Sequence, residues 1–455
     1  GAALRATSVT FLSRASLEQG NPDRFGLQKR CVPAMDVRGI RKTDMLLNDY
    51  LPVIDVDPET GRSQILDEAH YSGVMGIEAR GSSTIGRTKR SYSLEIRDAN
   101  GDDLDVELLG MPGDSDWVLY GPYNFDRALM RNPFMYRLAS QIGRYAVRTQ
   151  FCEIFVNLNG SDINRSQDYY GVYVFMEKIK RGRHRVDVEP LRGTDNAEPG
   201  VSGGYMFKVD RRGPGSRGFV TARGNPADTD VESFFIFVTP EEEMITAAQR
   251  QWIVGHLNEF EDVFFGTDYL DPVKGYAKYL DIGSFMDHHM LVELGKNPDG
   301  LRLSTYFHKR RGGKISAGPV WDYDRSMAPT LDGRARDPIG FYQHTGYLWW
   351  GRLRQDPVYQ ARYTARWREL RRGPLGTENV HAIIDDMAAE LAESQVRNYE
   401  RWPETRGELG WEHEIQRLKD WLSTRLLWLD YQWMEAPVIE AESGRVEAPF
   451  EVALS

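Results

Sequence analysis

Three aspartates in the second half of the chain have the types and spacing that phosphoryl chemistry asks for. Asp299 stands in a tight Asn297-Pro298-Asp299-Gly300 turn behind an apolar stretch of helical period, and Asp322 and Asp324 alternate after Trp321 at the end of the second arm of a hairpin-like segment. Phosphoryl transfer needs little covalent chemistry from a protein. It needs one carboxylate to orient or deprotonate the attacking hydroxyl, and another to hold the Mg2+ that bridges the phosphates. A turn Asp, a hairpin and a strand-end Asp give that layout. The same residues have a plain structural reading: Asn-Pro-Asp-Gly is a favourable turn sequence, and an Asp beside a Trp can cap a strand. From pattern alone both readings stay open.

A second group is Arg80-Gly81-Ser82-Ser83-Thr84-Ile85-Gly86-Arg87-Thr88-Lys89. Its small residues let backbone N–H groups approach phosphates, and Arg80 and Lys89 add charge. It lacks the G-x-x-x-x-G-K-S/T spacing of a Walker A loop, and an ordinary hairpin loop explains it as well. A third group is the apolar strand from Tyr169 to Met176, which runs out into Glu177-Lys178. Between two lobes such a strand can offer backbone groups to an adenine edge and a carboxylate to a ribose. A buried strand ending in solvent is the simpler account.

The elements that must position these residues change character along the chain. Residues 1–50 show no clear periodicity and read as a lead-in. Alternation predicts strands from Leu51, over Val74–Arg80 and over Ser91–Ile96, with a turn at Pro58–Gly61. Asp126 opens a 3.6-period stretch through Leu129, Phe134 and Leu138 to Ile142, with Gly143 as its C-cap. Strands follow over Phe151–Leu158 and Gly171–Met176, and another at Tyr205–Val209 within a Gly- and Pro-rich stretch. From Pro240 helices dominate, one on Trp252, Leu257 and Phe260, a long buried one from Ile282 to Leu294, and a last one on Ile415, Leu418, Leu422 and Leu426. Residues 436–455 read as two short strands opening a small β-sandwich appendage that would continue past Ser455.

Composition narrows the partners. Hydrophobic residues make up 41% and charged residues 27% of the 455, the balance of a globular protein. A formal net charge of -10 argues against nucleic acid as the main partner, because phosphate backbones need clustered positive potential. The basic run at Lys178, Lys180, Arg181, Arg183, His184 and Arg185 reads as a solvated loop rather than a polyanion site. No apolar run is long enough to span a bilayer. Cys31 and Cys152, the two cysteines, allow one disulfide but no disulfide framework.

Taken in order, these groups resemble the CotH (spore coat protein H) kinase family. The landmarks are Arg80-Gly81-Ser82-Ser83 with Lys89-Arg90-Ser91-Tyr92, Leu108-Leu109-Gly110-Met111-Pro112 with Asp116-Trp117, and Met130-Arg131-Asn132. They continue with Tyr170-Gly171-Val172-Tyr173, with Gly203-Gly204-Tyr205, Lys208 and Asp210, and with Lys296-Asn297-Pro298-Asp299-Gly300 followed by Trp321-Asp322-Tyr323-Asp324. The resemblance covers about Leu51 to about Leu429. It implies an α+β, divergent protein-kinase-like fold, with a β-rich N-terminal lobe (51–235) and a helical C-terminal lobe (236–435).

The resemblance also implies roles. Asp299 becomes the catalytic-loop acid, Asp322 the metal-binding acid and Asp324 a second metal contact. Lys89 becomes the phosphate-binding lysine, with Arg80, Gly81, Ser82 and Ser83 about the phosphates, Trp321 and Tyr173 flanking the adenine, and Glu177 beside the ribose. The implied cofactors are ATP and Mg2+ (or Mn2+). The implied partner is a protein substrate, phosphorylated on Ser or Thr, and the implied setting is bacterial, secreted or at the cell surface. Two features depart from ordinary kinases. Ser304 stands where they place a metal-binding Asn, and the stretch from Asp126 to Ile142 has no Glu to pair with Lys89, which leaves Glu153, Glu177 or another acid for that task. Kinase-like folds also host AMP transfer and glutamylation, and a catalytically silent surface-binding protein would keep the same fold.

Overall fold

A computed structural model describes residues 4–5, 8–9, 47–54, 62–63, 69–81, 86–156, 165–211, 218–223, 234–329, 331–342 and 348–433. Cys31, the turn at Pro58–Gly61, Ser82, Ser83 and the appendage expected over 436–455 lie outside the described residues.

The first half curls into a closed barrel. Its strands run in the order Thr149–Phe155, Tyr169–Glu177, Asp116–Tyr120, Ser91–Arg97, Tyr71–Arg80, Leu47–Ile54 and Ser8–Val9. A parallel bridge between Ser8 and Glu153 closes the ring, and the other pairings are antiparallel. Strand alternation decides what fills it. In Ser91–Arg97 the side chains of Tyr92, Leu94 and Ile96 point inward and the serines outward. In Tyr169–Glu177, Tyr173 and Phe175 join the barrel core while Val172, Val174 and Met176 face the rest of the molecule. The strand Leu47–Ile54 starts four residues ahead of the expected Leu51, so it crosses the 50/51 boundary.

A second, five-stranded antiparallel sheet runs Phe219–Val220, Phe234–Thr239, Tyr205–Val209, Thr305–Lys309, Ile315–Ala317. It joins strands from both halves of the chain, and the expected 235/236 lobe boundary falls within Phe234–Thr239. The helical half therefore contributes strands to a sheet it shares with the first half. The hairpin-like segment is there as Thr305–Lys309 paired with Ile315–Ala317, and Thr305–Lys309 also pairs with a strand about a hundred residues earlier, Tyr205–Val209, a pairing that a local pattern does not register.

Helices dominate the remainder: Ala247–Phe265, Ile282–Gly295, Pro357–Arg371, Thr377–Leu391, Ser394–Arg401 and Trp411–Trp433. Three of these starts follow capping chemistry. Thr246 and Gln249 form a capping box, Asp281 accepts from the Ser284 N–H, and Asp356 caps a helix with Pro357 in its first turn. Ile282–Gly295 is buried on nearly all sides, its polar Asp287, His288, His289 and Glu293 included, in line with the long buried helix expected there. The helix Arg131–Gln141 belongs by packing to this half, since Phe134, Met135 and Leu138 sit in the large core with Met290 and Leu291. A strand-rich, curled first half and a helix-rich second half are compatible with a kinase-like α+β fold. No helix among the described residues is long and apolar enough to cross a membrane.

Candidate active site

A cleft of about 400 Å3 opens between the outer face of the barrel and the second sheet with its following loops. The barrel side contributes Arg80, Gly81, Ser91, Ser93, Val118 and Met176; the opposite side contributes Lys208, Asp210, Asp299, Ser304, Trp321, Asp322 and Asp324. The outward serines of Ser91–Arg97 are small, which leaves room there. Val118, Met176, Ile236 and Leu303 make one stretch of the lining apolar.

The aspartates are held by backbone and amide bonds. Asp322 has a left-handed φ of 65°, a conformation a non-glycine residue keeps only when its surroundings impose it. Those surroundings are visible. The Asp322 N–H donates to Tyr136 Oη at 3.3 Å, and the Tyr323 N–H donates to Asn132 Oδ1 at 2.6 Å. Asn297 Nδ2 donates to the Asp322 carbonyl at 3.0 Å. Just beyond, Arg131 is fully buried, pairs with Asp126 at 2.8 Å and donates to the carbonyls of Ser326, Met327 and Ala328. The helix Arg131–Gln141 thus fixes the segment that bears Asp322 and Asp324. Asp299 is oriented by two guanidiniums, Arg302 at 2.8 Å and Arg334 at 3.2 Å, and its own N–H donates to Asn297 Oδ1.

Burial pushes the Asp322 carboxyl up to about 6; the charges of Asp299 and Asp210 push the same way, while Arg325 and a hydrogen bond with Asp324 pull it back. Asp324 is raised well above the carboxylate range, first by burial and then by Asp322. Two buried like charges this close do not both ionise, so the pair retains a proton. A divalent cation would replace that proton, and hard oxygen donors suit Mg2+ or Mn2+, whose shell commonly takes one or two carboxylates plus phosphate oxygens and water. Among the described residues no group of three or more His, Cys, Asp or Glu side chains is placed to hold a metal, so the fit rests on this pair.

Cations line the cleft on both sides. Lys208 lines it, bonded to Asp210 at 2.7 Å. Arg80 lies 5.4 Å from the Trp321 ring, and Arg87 and Arg325 lie 4.4 and 4.2 Å from the Phe125 ring. Such a site can hold a polyanion by its cations, an apolar ring beside Met176 and Val118, and a hard cation at the carboxylates.

Residues 77–429, well over half of the chain, match the family model described as CotH kinase protein. The chain belongs to the CotH kinase family. Over 60 residues, 13% of this chain and 10% of each relative, it is also 52% identical to urease subunit alpha 2 of Brucella abortus, Brucella suis and Brucella melitensis. The chain spans about a tenth of the length of those curated relatives, and so short a match does not carry urease chemistry over.

Within this CotH-family chain, Arg80, Gly81, Lys89, Asp299, Trp321, Asp322 and Asp324 all line the one cleft. Tyr173 and Glu177 do not. Both share the inward parity of their strand, opposite to Met176, so Tyr173 is sealed in the barrel core and Glu177 is buried at the barrel end. There Glu177 accepts from Arg148 and Tyr145. Nor does either proposed acid hold Lys89: Glu153 pairs with Arg397 at 2.5 Å and Glu177 with Arg148 at 2.5 Å. Lys89 lies in the loop ahead of Ser91–Arg97, and burial lowers its ammonium to about 7. Asp322 sits in a loop beyond Ile315–Ala317, not at a strand end. The basic run is not simply solvated, since Arg185 is buried 4.8 Å from the Trp117 ring beside Asp114 and Glu177. Cys152 is a buried free thiol.

Sequence reasoning passed over Lys208 and Asp210 as site residues. A lysine inside the apolar strand Tyr205–Val209 was the available signal. It also passed over Asn132, Arg131 and Arg334, whose roles depend on loops that are distant in sequence.

Proposed function

We propose that this chain is an atypical protein kinase of divergent kinase-like fold, using ATP with Mg2+ or Mn2+ to phosphorylate Ser or Thr of secreted or surface proteins. One observation carries the reading. Asp299, Asp322 and Asp324, from two segments separated by a hairpin, meet in a single cleft whose opposite wall offers Arg80 and an apolar lining. Membership of the CotH kinase family supports it.

In this reading Asp322 and Asp324 hold the divalent cation, which neutralises phosphate charge when bound. The cations of the cleft, Arg80 and Lys208 among them, take the phosphate oxygens, and Val118 and Met176 take the adenine. The substrate hydroxyl oxygen attacks the γ-phosphorus, its proton passes to Asp299, and the bond to the β–γ bridging oxygen breaks to release ADP.

The test joins binding to product mass. ATP with Mg2+ or Mn2+ should raise the melting temperature, because a ligand of the native state stabilises it. Incubation with a protein acceptor should then add a phosphoryl mass, absent in Asp299→Asn. An adenylyl or glutamyl mass instead would assign the cleft to AMP transfer or glutamylation. No nucleotide-dependent stabilisation at all would identify a catalytically silent protein.

A further inference from the structure

Lys89 is held by an amide rather than by an acid. Its Nζ donates to the Val172 carbonyl at 2.6 Å and to Asn398 Oδ1 at 2.8 Å, and Asn398 lies 309 positions downstream, on the helix Ser394–Arg401. The same Oδ1 accepts the Val172 N–H at 3.0 Å. Both neighbours of that oxygen are donors, which fixes the orientation of the amide, and Asn398 Nδ2 is buried without a partner. The oxygen is the working end of this side chain.

The approach of this helix is built into the strand it touches. Gly171 has a left-handed φ of 110°, and a Cβ there would come within 2.8 Å of Asn398 Oδ1 and within 2.8 Å of Trp402 Nε1. Only glycine meets both demands. Around Gly171, Trp402 Nε1 donates to the Tyr170 carbonyl at 2.8 Å, and Arg401 Nε donates to the Tyr169 carbonyl at 3.1 Å.

We infer that Asn398 is the positioning residue for Lys89, and that the helix Ser394–Arg401 places this lysine at the cleft with a neutral acceptor where ordinary kinases use a glutamate. The inference rests on the function proposed above and on Lys89, which lines the same cleft, serving the nucleotide there. The physical consequence is one of charge. A lysine held by a carboxylate has much of its charge neutralised by its own holder. Held by an amide oxygen and a carbonyl, the buried amine has no carboxylate to compensate it, so burial lowers it to about 7, and in its charged form one N–H remains beyond these two acceptors for an oxygen of a ligand in the cleft. Gly171 then has a stated task, to admit the amide.

The experiment compares nucleotide dissociation constants for the full chain and for Lys89→Ala, Asn398→Ala, Asn398→Asp and Arg401→Ala. Arg401→Ala is the control, since it loosens the same helix without touching Lys89. Lys89→Ala and Asn398→Ala should each weaken Mg-ATP by roughly 10-fold or more, the range for a hydrogen bond to a charged group. Asn398→Asp, which keeps an oxygen in place but neutralises the ammonium it holds, should lose less affinity than Asn398→Ala and more than Arg401→Ala, which should change it little. If Lys89→Ala loses affinity while Asn398→Ala loses no more than Arg401→Ala, the positioning role is overturned and the kinase reading stands. If Lys89→Ala loses none, the assignment of Lys89 to the nucleotide is overturned and the inference with it. The pair is also read with no nucleotide present, which separates it from the function. The Lys89 ε-carbon NMR signal, assigned by its loss in Lys89→Ala, should move in Asn398→Ala, and an unmoved signal sinks the contact itself.

Discussion

Asn297 ties the two candidate acids together: its Nδ2 donates to the carbonyl of Asp322 at 3.0 Å while its Oδ1 accepts the N–H of Asp299 at 3.0 Å. The turn that carries one acid is thereby pinned to the loop that carries the other. Asn297→Ala should lower phosphoryl transfer by about 10-fold or more while changing Mg-ATP affinity less, because misplacement by a fraction of an ångström costs rate before it costs binding. Parallel measurements of kcat and nucleotide affinity check this. An equal loss in both would mean that Asn297 only supports the metal loop.

The acids should divide their labour. Asp299→Asn should keep Mg-ATP binding and lose transfer by roughly 10²- to 10⁴-fold, the effect of removing a general base. Asp322→Asn should lose both, because Asp322 would hold a divalent cation that neutralises phosphate charge in the ground and transition states alike. Calorimetric titration beside single-turnover kinetics separates the two. Equally severe loss of nucleotide affinity in Asp299→Asn would make Asp299 a metal ligand.

The raised Asp322 carboxyl predicts a pH signature. Its folded value near 6 lies above the usual 3.8, so its contribution to stability is fully present below about 3.8 and is lost as pH rises through about 6. Above that pH the free protein carries a buried, unfavourable charge. Asp322→Asn should therefore stabilise the nucleotide-free protein by about 1–3 kcal/mol at pH 8, with the gain shrinking towards pH 4. Metal-dependent stabilisation of the parent should run the other way and weaken as pH falls through about 6. Denaturant melts at several pH values read both, and a pH-independent difference would remove Asp322 as the titrating group.

Arg131 is the structural keystone of the metal loop. Removing it strands Asp126, 0% exposed, as an uncompensated buried charge and frees the carbonyls of Ser326, Met327 and Ala328. Arg131→Ala should cost about 3–5 kcal/mol of stability and, where the chain still folds, should weaken metal-dependent nucleotide binding. Arg131→Lys should restore the charge but not the fork of bonds, and so recover stability in part. Urea unfolding of both variants checks the order.

The positions of individual elements were legible because they rest on local rules. Alternation marked Ser91–Arg97, a short apolar stretch between Gly- and Pro-rich loops marked Tyr205–Val209, apolar positions of helical period marked Ile282–Gly295, and Gly143 marked the end of Arg131–Gln141. The order of short motifs pointed to the CotH kinase family, and seven of the candidate residues did meet at one cleft. Tyr173 and Glu177 could have been excluded by the same alternation rule, since they share a parity opposite to Met176.

The rest was beyond a linear reading, because a side chain's partner across hundreds of residues leaves no periodic trace. Asp322 was visible as an acid, but its left-handed backbone, its pairing with Asp324 and the clasp of Asn132 and Arg131 exist only once a helix from the first half packs beside that loop. Lys89 was visible as a cation, but its holder was sought among acids, Glu153 and Glu177, because local chemistry favours opposite charges. Tertiary packing gave both of those to arginines and brought Asn398 to Lys89 instead. The sequence by itself determined which residues could bear charge and where strands and helices would form. Only the folded chain decided which of those charges face one another, because that depends on long-range contacts whose free energy is gained collectively, when the barrel and the helical half close on the cleft.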